Sequence, residues 1–136
     1  MKHIAIKENH LYSKTYAKGK KFVGKNVIVY ILKDYKAGTL MKANPMKLYI
    51  NRIGITVSKK LGHATERNRV KRILREGLRQ TEKEYSIKKG FLIVLVARNS
   101  ACEAKSDAIK KDISKAFFAL DMILDNTEEN NNEKNS

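Results

Sequence analysis

A chain of 136 residues suits one domain, which at this size can fold without disulfides or a structural metal. Its 29 Lys and Arg residues against 14 Asp and Glu residues give a net charge of +15, which favours a polyanionic partner. The single cysteine, Cys102, excludes an internal disulfide, and no apolar run approaches the roughly 18 residues that span a bilayer. We therefore expect a cytoplasmic protein that does not act at a membrane.

The first third of the chain predicts a helix followed by a strand. Residues 9–18 form a short predicted helix after a loose or extended start over residues 1–8, and residues 18–25 form a basic, glycine-containing loop. Residues 26–33 are β-branched, aromatic and nearly continuous in apolar character, as expected of a strand that is covered on both faces.

A second predicted strand, over residues 47–58, has an unusual face. It follows a loop over residues 34–44, which ends before the only proline of the chain. Gly54, Thr56 and Ser58 alternate with larger apolar residues, so one face of the strand carries only small side chains. Such a face lets a helix or a ligand approach closely.

Residues 59–79 carry the strongest signal in the sequence, with eight basic residues and only two acids. Apolar residues recur at i, i+3, i+4, i+7 and i+8, which predicts a helix with one buried face: Val70, Ile73, Leu74, Gly77 and Leu78. The opposite side of the helical wheel holds Asn68, Arg72, Arg75 and Arg79, and the flanks hold Arg67, Arg69 and Lys71. Arginine forks match phosphate oxygens, so this surface suits a nucleic-acid backbone.

The alternative for this basic helix is an ordinary solvated face. Solvated faces usually mix both signs, whereas pairs such as Arg72–Arg75 and Arg75–Arg79 place like charges one turn apart and oppose helix formation by a few tenths of a kcal/mol each. An anionic polymer would offset that repulsion. A second alternative, binding to an anionic membrane surface, is disfavoured because the apolar face has no Trp or Phe anchor.

The rest of the chain predicts one more strand and one more helix. A loop over residues 86–90 leads into a buried strand over residues 91–98, and residues 104–124 form a long amphipathic helix. Residues 125–136 are rich in Asn and Glu and are predicted to be disordered. A helix connects the strands over 47–58 and 91–98, so those two strands should be parallel. The predicted fold is an α+β, two-layer sandwich with a mixed sheet of about four strands and three helices, in the order α-β-β-β-α-β-α.

The sequence offers no catalytic chemistry of its own. His3, His10 and His63 have no partners at metal-ligand spacing, and no phosphate-binding glycine loop precedes a helix. One cysteine and scattered serines do not make a nucleophile–base pair. We therefore expect a binding protein over residues 1–124, with no catalytic or metal-ligating residue.

The run from Ser58 to Ala64 and the residues after it resemble the signature of the bacterial RNase P protein subunit. The pattern is S-K-K-x-G-x-A-x-x-R-N-R-x-K-R-x-x-R, and each fixed position is filled, from Ser58 to Arg75. The resemblance covers about residues 9–124 and includes two aromatics four residues apart before a glycine, Tyr12 and Tyr16, and the strand residue Tyr30.

The resemblance implies the fold of the second domain of small-subunit ribosomal protein five, with a left-handed βαβ crossover. It implies a ribonucleoprotein that removes the 5′ leader from precursor tRNA, in which the RNA subunit and its bound Mg²⁺ carry out catalysis. The protein would bind that RNA and the single-stranded leader, with no protein partner implied. The RNA contacts it implies are Lys59, Lys60, Arg67, Asn68, Arg69, Lys71, Arg72 and Arg75, to which the helix pattern adds Arg79.

Three tyrosines would line the leader-binding cleft: Tyr12, Tyr16 and Tyr30. Unpaired bases stack on aromatic rings, which agrees with that role, although tyrosines are also ordinary packing residues.

Two other functions fit part of the pattern. A structural RNA-binding protein of the ribosomal type would share the charge and fold without the Arg-Asn-Arg signature, and a DNA-binding module would need a helix-turn-helix or dimer element that the sequence does not show.

Overall fold

The structure is a computed structural model, and it describes residues 4–34 and 51–124. The elements in chain order are β1 (Ile4–Ala5), α1 (Asn9–Lys18), β2 (Lys20–Val23), β3 (Val27–Lys33), β4 (Arg52–Thr56), α2 (Ala64–Glu84), β5 (Phe91–Ala97) and α3 (Ser106–Ala119). Short 3₁₀ turns precede α2 and α3, at Lys59–Leu61 and Asn99–Cys102. No helix in the described ranges is long and apolar enough to cross a membrane.

The five strands form one mixed sheet in the order β1-β4-β5-β3-β2. Strands β4 and β5 are parallel and are joined by α2, as the sequence predicted, while β3 is antiparallel to both β5 and β2. The α+β class and the order α-β-β-β-α-β-α after β1 are confirmed, although the sequence had assigned residues to only two of the three strands between α1 and α2, and the described residues form five strands rather than about four. The left hand of the β4–α2–β5 crossover stays a prediction.

Helices α2 and α3 cover one face of the sheet and form the main core with it. That core is built from alternate residues of β3 and β5 and from the apolar faces of the two helices; its fully buried members include Val29, Leu95, Leu74, Ile113 and Phe117. The other residues of β5, such as Leu92 and Val94, point to the opposite face, where they pack with Leu11 of α1. Among the described helices, α1 is the one that packs on the face of the sheet that carries Tyr30.

Two strands were missed by the sequence reasoning. The predicted loop over 18–25 contains β2, which pairs along its whole length with β3. Of its four residues only Phe22 packs against the main core, and Lys20, Lys21 and Val23 are exposed, so the segment lacks the apolar alternation of a strand. Strand β1 has two residues and pairs with β4, where the prediction was a loose or extended start.

The predicted end of the last helix was wrong. Helix α3 ends at Ala119 rather than at residue 124, and Asp121 adopts a left-handed conformation with φ 57°. The chain then turns back: Met122 is fully buried, and Ile123 forms a β-bridge with Ile87. Backbone bonds to the 86–90 loop therefore replace the helical bonds that the apolar periodicity suggested.

Asp34 and Arg52, just after the end of β3 and at the start of β4, form a buried ion pair. Asp34 follows β3, Arg52 begins β4, and the guanidinium donates to both carboxylate oxygens at 2.6 and 2.8 Å. Both side chains are at least nine-tenths buried. Most of the predicted 34–44 loop, the start of the predicted 47–58 strand and the predicted disordered tail over 125–136 lie outside the described residues.

Candidate nucleic-acid interface

Helix α2 presents the basic surface that the sequence predicted. Its buried residues are Val70, Leu74, Gly77, Leu78 and Thr81, and Ile73 packs against the same core while partly exposed. Seven of the predicted RNA contacts are exposed: Lys59, Lys60, Asn68, Arg69, Arg72, Arg75 and Arg79. Arg67 and Lys71 are half-exposed at the flanks. The helix therefore separates a core seam from a cationic face.

The turn before α2 fixes the two lysines of the signature at the helix entrance. Ser58 caps the 3₁₀ turn by accepting the Lys60 N–H at 3.2 Å. Gly62 then adopts φ 134°, a conformation that L side chains rarely adopt, and a Cβ there would lie 1.8 Å from Glu66 Oε2. The Glu66 carboxylate in turn accepts the His63 N–H at 3.3 Å and stands in the first, electropositive turn of α2.

Two of the predicted RNA contacts already have protein partners. The Arg79 guanidinium donates to both carboxylate oxygens of Glu76, at 2.7 Å each. These bonds, with a further one from Gln80, lower the pKa of Glu76, so the carboxylate stays charged and offsets Arg79 at neutral pH. Arg69 donates to the backbone carbonyls of Cys102 at 2.8 Å and Ala104 at 3.5 Å.

Arg67 differs from the other signature arginines in its burial. Its Nε atom is buried and has no hydrogen-bond partner among the described residues.

The three predicted cleft tyrosines come together on the face of the sheet that α1 covers. The Tyr16 ring lies between the other two, with its centroid 4.9 Å from that of Tyr30 and 6.5 Å from that of Tyr12. The Tyr16 hydroxyl also lies 3.3 Å from Thr56 Oγ1 in β4. Tyr16 is 39% exposed, so part of this aromatic cluster faces solvent.

Gly54 is the reason that α1 can approach the sheet so closely. A Cβ at this position would lie 2.6 Å from atoms of the Tyr12 ring, which confirms the prediction that the small face of this strand admits a neighbouring element. Burial, and then the neighbouring Tyr16, raise the pKa of Tyr12. Its phenol is therefore neutral at physiological pH.

A cleft of about 460 Å³ lies between Tyr12 and the basic helix; Tyr16 and Tyr30, which were predicted to line the same cleft, are not among its lining residues. Tyr12 and Gly54 lie on one side, and Lys71, Arg75 and Arg79 on the other. Ala5 and Ile6 also line it, and sequence reasoning missed them because residues 1–8 have no periodic pattern. It also missed Lys21, which is the direct cross-strand neighbour of Tyr30 and so lies on the same face of the sheet.

Within residues 4–34 and 51–124, no group of three or more His, Cys, Asp and Glu side chains could hold a metal ion. The chemistry that the surface offers is electrostatic attraction, hydrogen-bond donation to phosphate oxygens and stacking of bases on aromatic rings.

The chain is similar to known proteins over most of its length. The model of the family described as Ribonuclease P matches residues 1–121. The chain belongs to the ribonuclease P protein family. The ribonuclease P protein component of Clostridioides difficile is 39% identical over 115 residues, which cover 85% of this chain and 86% of that protein. That of Clostridium acetobutylicum is 37% identical over 125 residues, covering 88% and 94%.

Solved ribonuclease P proteins have the same fold. The Staphylococcus aureus RNase P protein superimposes with a TM-score of 0.67 at 26% identity, covering 90% of this chain and 100% of that one. The Thermotoga maritima RNase P protein gives a TM-score of 0.61 at 25% identity, covering 80% and 90%. The family and the fold assigned from the signature are therefore confirmed.

Proposed function

We propose that this chain is the protein subunit of a ribonucleoprotein RNase P, which removes the 5′ leader from precursor tRNA in the cytoplasm. The protein binds the RNase P RNA and the leader. Catalysis belongs to the RNA subunit and its bound Mg²⁺, as the family resemblance implies. The observation that carries the proposal is a cleft in a member of this family that is lined by Tyr12 of the aromatic cluster and by Lys71, Arg75 and Arg79 of the cationic helix.

The cationic face of α2 supports the binding of the catalytic RNA. Arg72 and Arg75 are exposed on successive turns and are backed by a helix that is anchored in the core through Val70 and Leu74. Neighbouring like charges weaken a free helix, and a phosphate backbone reverses that cost by pairing with each guanidinium. The binding energy then comes largely from counterion release, which is insensitive to sequence.

The aromatic cluster supports the binding of the unpaired leader. Every base has a π-face, so rings such as Tyr16 and Tyr30 hold a single strand without a sequence requirement. Lys21 beside Tyr30 and Lys71 across the cleft place cations near the phosphates of such a strand. The structured part of tRNA offers no unpaired strand of this kind at its mature 5′ end, so the cluster distinguishes precursor from product.

Reconstitution tests this function. The protein is mixed with a bacterial RNase P RNA at low Mg²⁺, where the RNA alone is slow, and cleavage of precursor tRNA is followed. We expect the protein to stimulate release of the 5′ leader and the protein without RNA to cleave nothing. A variant with Arg72→Glu and Arg75→Glu should lose the stimulation, whereas Lys111→Glu with Lys115→Glu, two exposed lysines of α3, should retain it.

Two outcomes would refute the assignment. One is a protein that leaves the RNA-catalysed rate unchanged at concentrations well above that of the RNA. The other is RNA-free protein that cleaves precursor tRNA with a specific activity that stays constant through successive purification steps.

A further inference from the structure

Arg69 stands in the middle of the Arg-Asn-Arg signature, but its guanidinium turns back onto the protein. Nη1 donates to the carbonyl of Cys102 at 2.8 Å and Nη2 to the carbonyl of Ala104 at 3.5 Å. Both acceptors belong to the 3₁₀ turn at Asn99–Cys102 and its exit toward α3. A side chain of α2 therefore fastens a backbone segment 33 residues further along the chain.

The same turn reaches the two lysines at the start of the signature. The Cys102 thiol donates to the carbonyl of Leu61 at 3.3 Å, and Leu61 closes the 3₁₀ turn that carries Lys59 and Lys60. Leu61 and Ala101 are both buried members of the main core. The contacts form a chain from Arg69 through Cys102 to the Lys59–Leu61 turn.

Other arginines of the same helix are not used in this way. Arg72 and Arg75 are exposed, and for neither does the described part of the chain provide a hydrogen-bond or ion-pair partner. They remain available to phosphates, whereas Arg69 has two of its five N–H donors directed at carbonyls. The signature therefore contains arginines with two different kinds of environment.

We propose that Arg69 is a positioning residue: it fastens the Asn99–Cys102 turn against α2 and thereby holds Lys59 and Lys60 in place for RNA. The proposal rests on the proposed function, because it assumes that these lysines contact RNA. A planar guanidinium fork donates to two separate carbonyls at once, which the point charge of a lysine does not do. Arg69→Lys keeps the charge and loses the fork.

A double-mutant cycle tests the proposal through affinity for a bacterial RNase P RNA at fixed salt. The single variants are Arg69→Ala and the paired change Lys59→Ala with Lys60→Ala, and the third variant combines them. If Arg69 acts through the lysines, its loss weakens binding roughly five- to tenfold in the wild type but less than twofold once the lysines are gone. Arg72→Ala is the matched control, and its effect should be the same in both backgrounds.

Arg69→Lys provides a second readout that also covers the case in which Arg69→Ala fails to fold. We expect Arg69→Lys to weaken RNA binding nearly as much as Arg69→Ala, with faster hydrogen exchange at the Leu61 amide and unchanged exchange at the Val70 amide. A role confined to overall stability would not produce a loss that depends on the two lysines.

The outcomes separate this inference from the function on which it rests. The Arg69→Ala variant could weaken binding by the same factor with and without the two lysines, or the Arg69→Lys variant could bind like the wild type. Either result would show that Arg69 contacts RNA through its charge. It would overturn the positioning role and leave the proposed function standing. If neither the lysine changes nor Arg72→Ala weakens RNA binding, the basic surface is not an RNA interface, and both proposals are overturned.

Discussion

Gly54 and Tyr12 show how a single residue sets the shape of the aromatic cluster. We expect Gly54→Ala to destabilise the protein by about 1–3 kcal/mol, because the added methyl group overpacks a site where the ring is already in contact. Its Cβ would lie 2.6 Å from the Tyr12 ring. Urea unfolding measures the change, with circular dichroism to confirm the fold.

The control for this prediction is the double variant with Tyr12→Ala. Removal of the ring creates the space that the methyl group needs, so Gly54→Ala should cost far less in that background than in the wild type. Equal costs in the two backgrounds would mean that the glycine is required for a reason other than contact with Tyr12.

The sequence predicts the exposure and the partners of a side chain where these depend on residues within one or two helical turns. The exposed arginines of α2 follow from helical periodicity, and the Glu76–Arg79 pair is visible as an i, i+3 spacing. The carbonyl partners of Arg69 lie 33 residues away and are backbone atoms, so no periodicity indicates them. The grouping of Tyr12, Tyr16 and Tyr30 came from the family resemblance, since only the fold brings β3 next to α1.

At the scale of elements, the close packing of α2 on α3 depends on Gly77. A Cβ at Gly77 would lie 2.6 Å from Ile109 Cγ2 and 3.1 Å from the backbone nitrogen of Lys110. Alanine gains about 1 kcal/mol over glycine in a helix interior, whereas overpacking costs typically 1–3 kcal/mol. The backbone nitrogen of Lys110 cannot move away as a flexible side chain could, so the cost of overpacking exceeds the gain in helix propensity. We expect Gly77→Ala to lower the free energy of unfolding by about 1 kcal/mol.

Thermal or urea unfolding of the Gly77→Ala variant gives this value directly. Ile109→Ala relieves the side-chain part of the clash, so the double variant should be less destabilised than the sum of the single changes. A Gly77→Ala variant that is more stable than the wild type would show that the helices have room to separate.

The elements were predicted well where the sequence has a regular apolar pattern and the same residues pack in the core. Strands β3 and β5 and the parallel pairing across α2 all follow from apolar runs and connection lengths. Strand β2 was missed because it is held by backbone pairing with β3 while three of its four side chains are exposed. The end of α3 was misplaced because Met122 and Ile123 continue an apolar pattern although they pack from a bridge rather than a helix.

At the scale of the molecule, the charge of +15 predicts a strong dependence of RNA binding on salt. Arg79 is paired with Glu76, and Arg69 is engaged with carbonyls, so about six cations of the surface remain for phosphates. The logarithm of the association constant should then fall with the logarithm of the salt concentration at a slope of roughly −4 to −5.5.

Charge reversal provides the control for this slope. Arg72→Glu with Arg75→Glu should flatten it by roughly 1.5 to 2, because two phosphate contacts and the counterions that they release are lost. The pair Lys111→Glu and Lys115→Glu on α3 should leave the slope nearly unchanged. A slope near zero for the wild-type protein would contradict a phosphate-contacting surface.

The central claim is that the tyrosine cluster binds the leader while the basic helix binds the catalytic RNA, and Tyr16→Ala tests it most directly. Affinities of the reconstituted holoenzyme are measured for precursor tRNA with a leader of several nucleotides and for mature tRNA. Stacking contributes about 1–3 kcal/mol per base, so the variant should lose that much affinity for the precursor and almost none for mature tRNA.

The matched control is Phe118→Ala, which removes an exposed aromatic ring of α3 that lies outside the cluster and should change neither affinity. Circular dichroism and the thermal midpoint establish that both variants are folded. A folded Tyr16→Ala variant that loses affinity only for the precursor is the result that the structure predicts. Equal losses for precursor and mature tRNA would contradict it and would leave the tyrosines a role in packing alone.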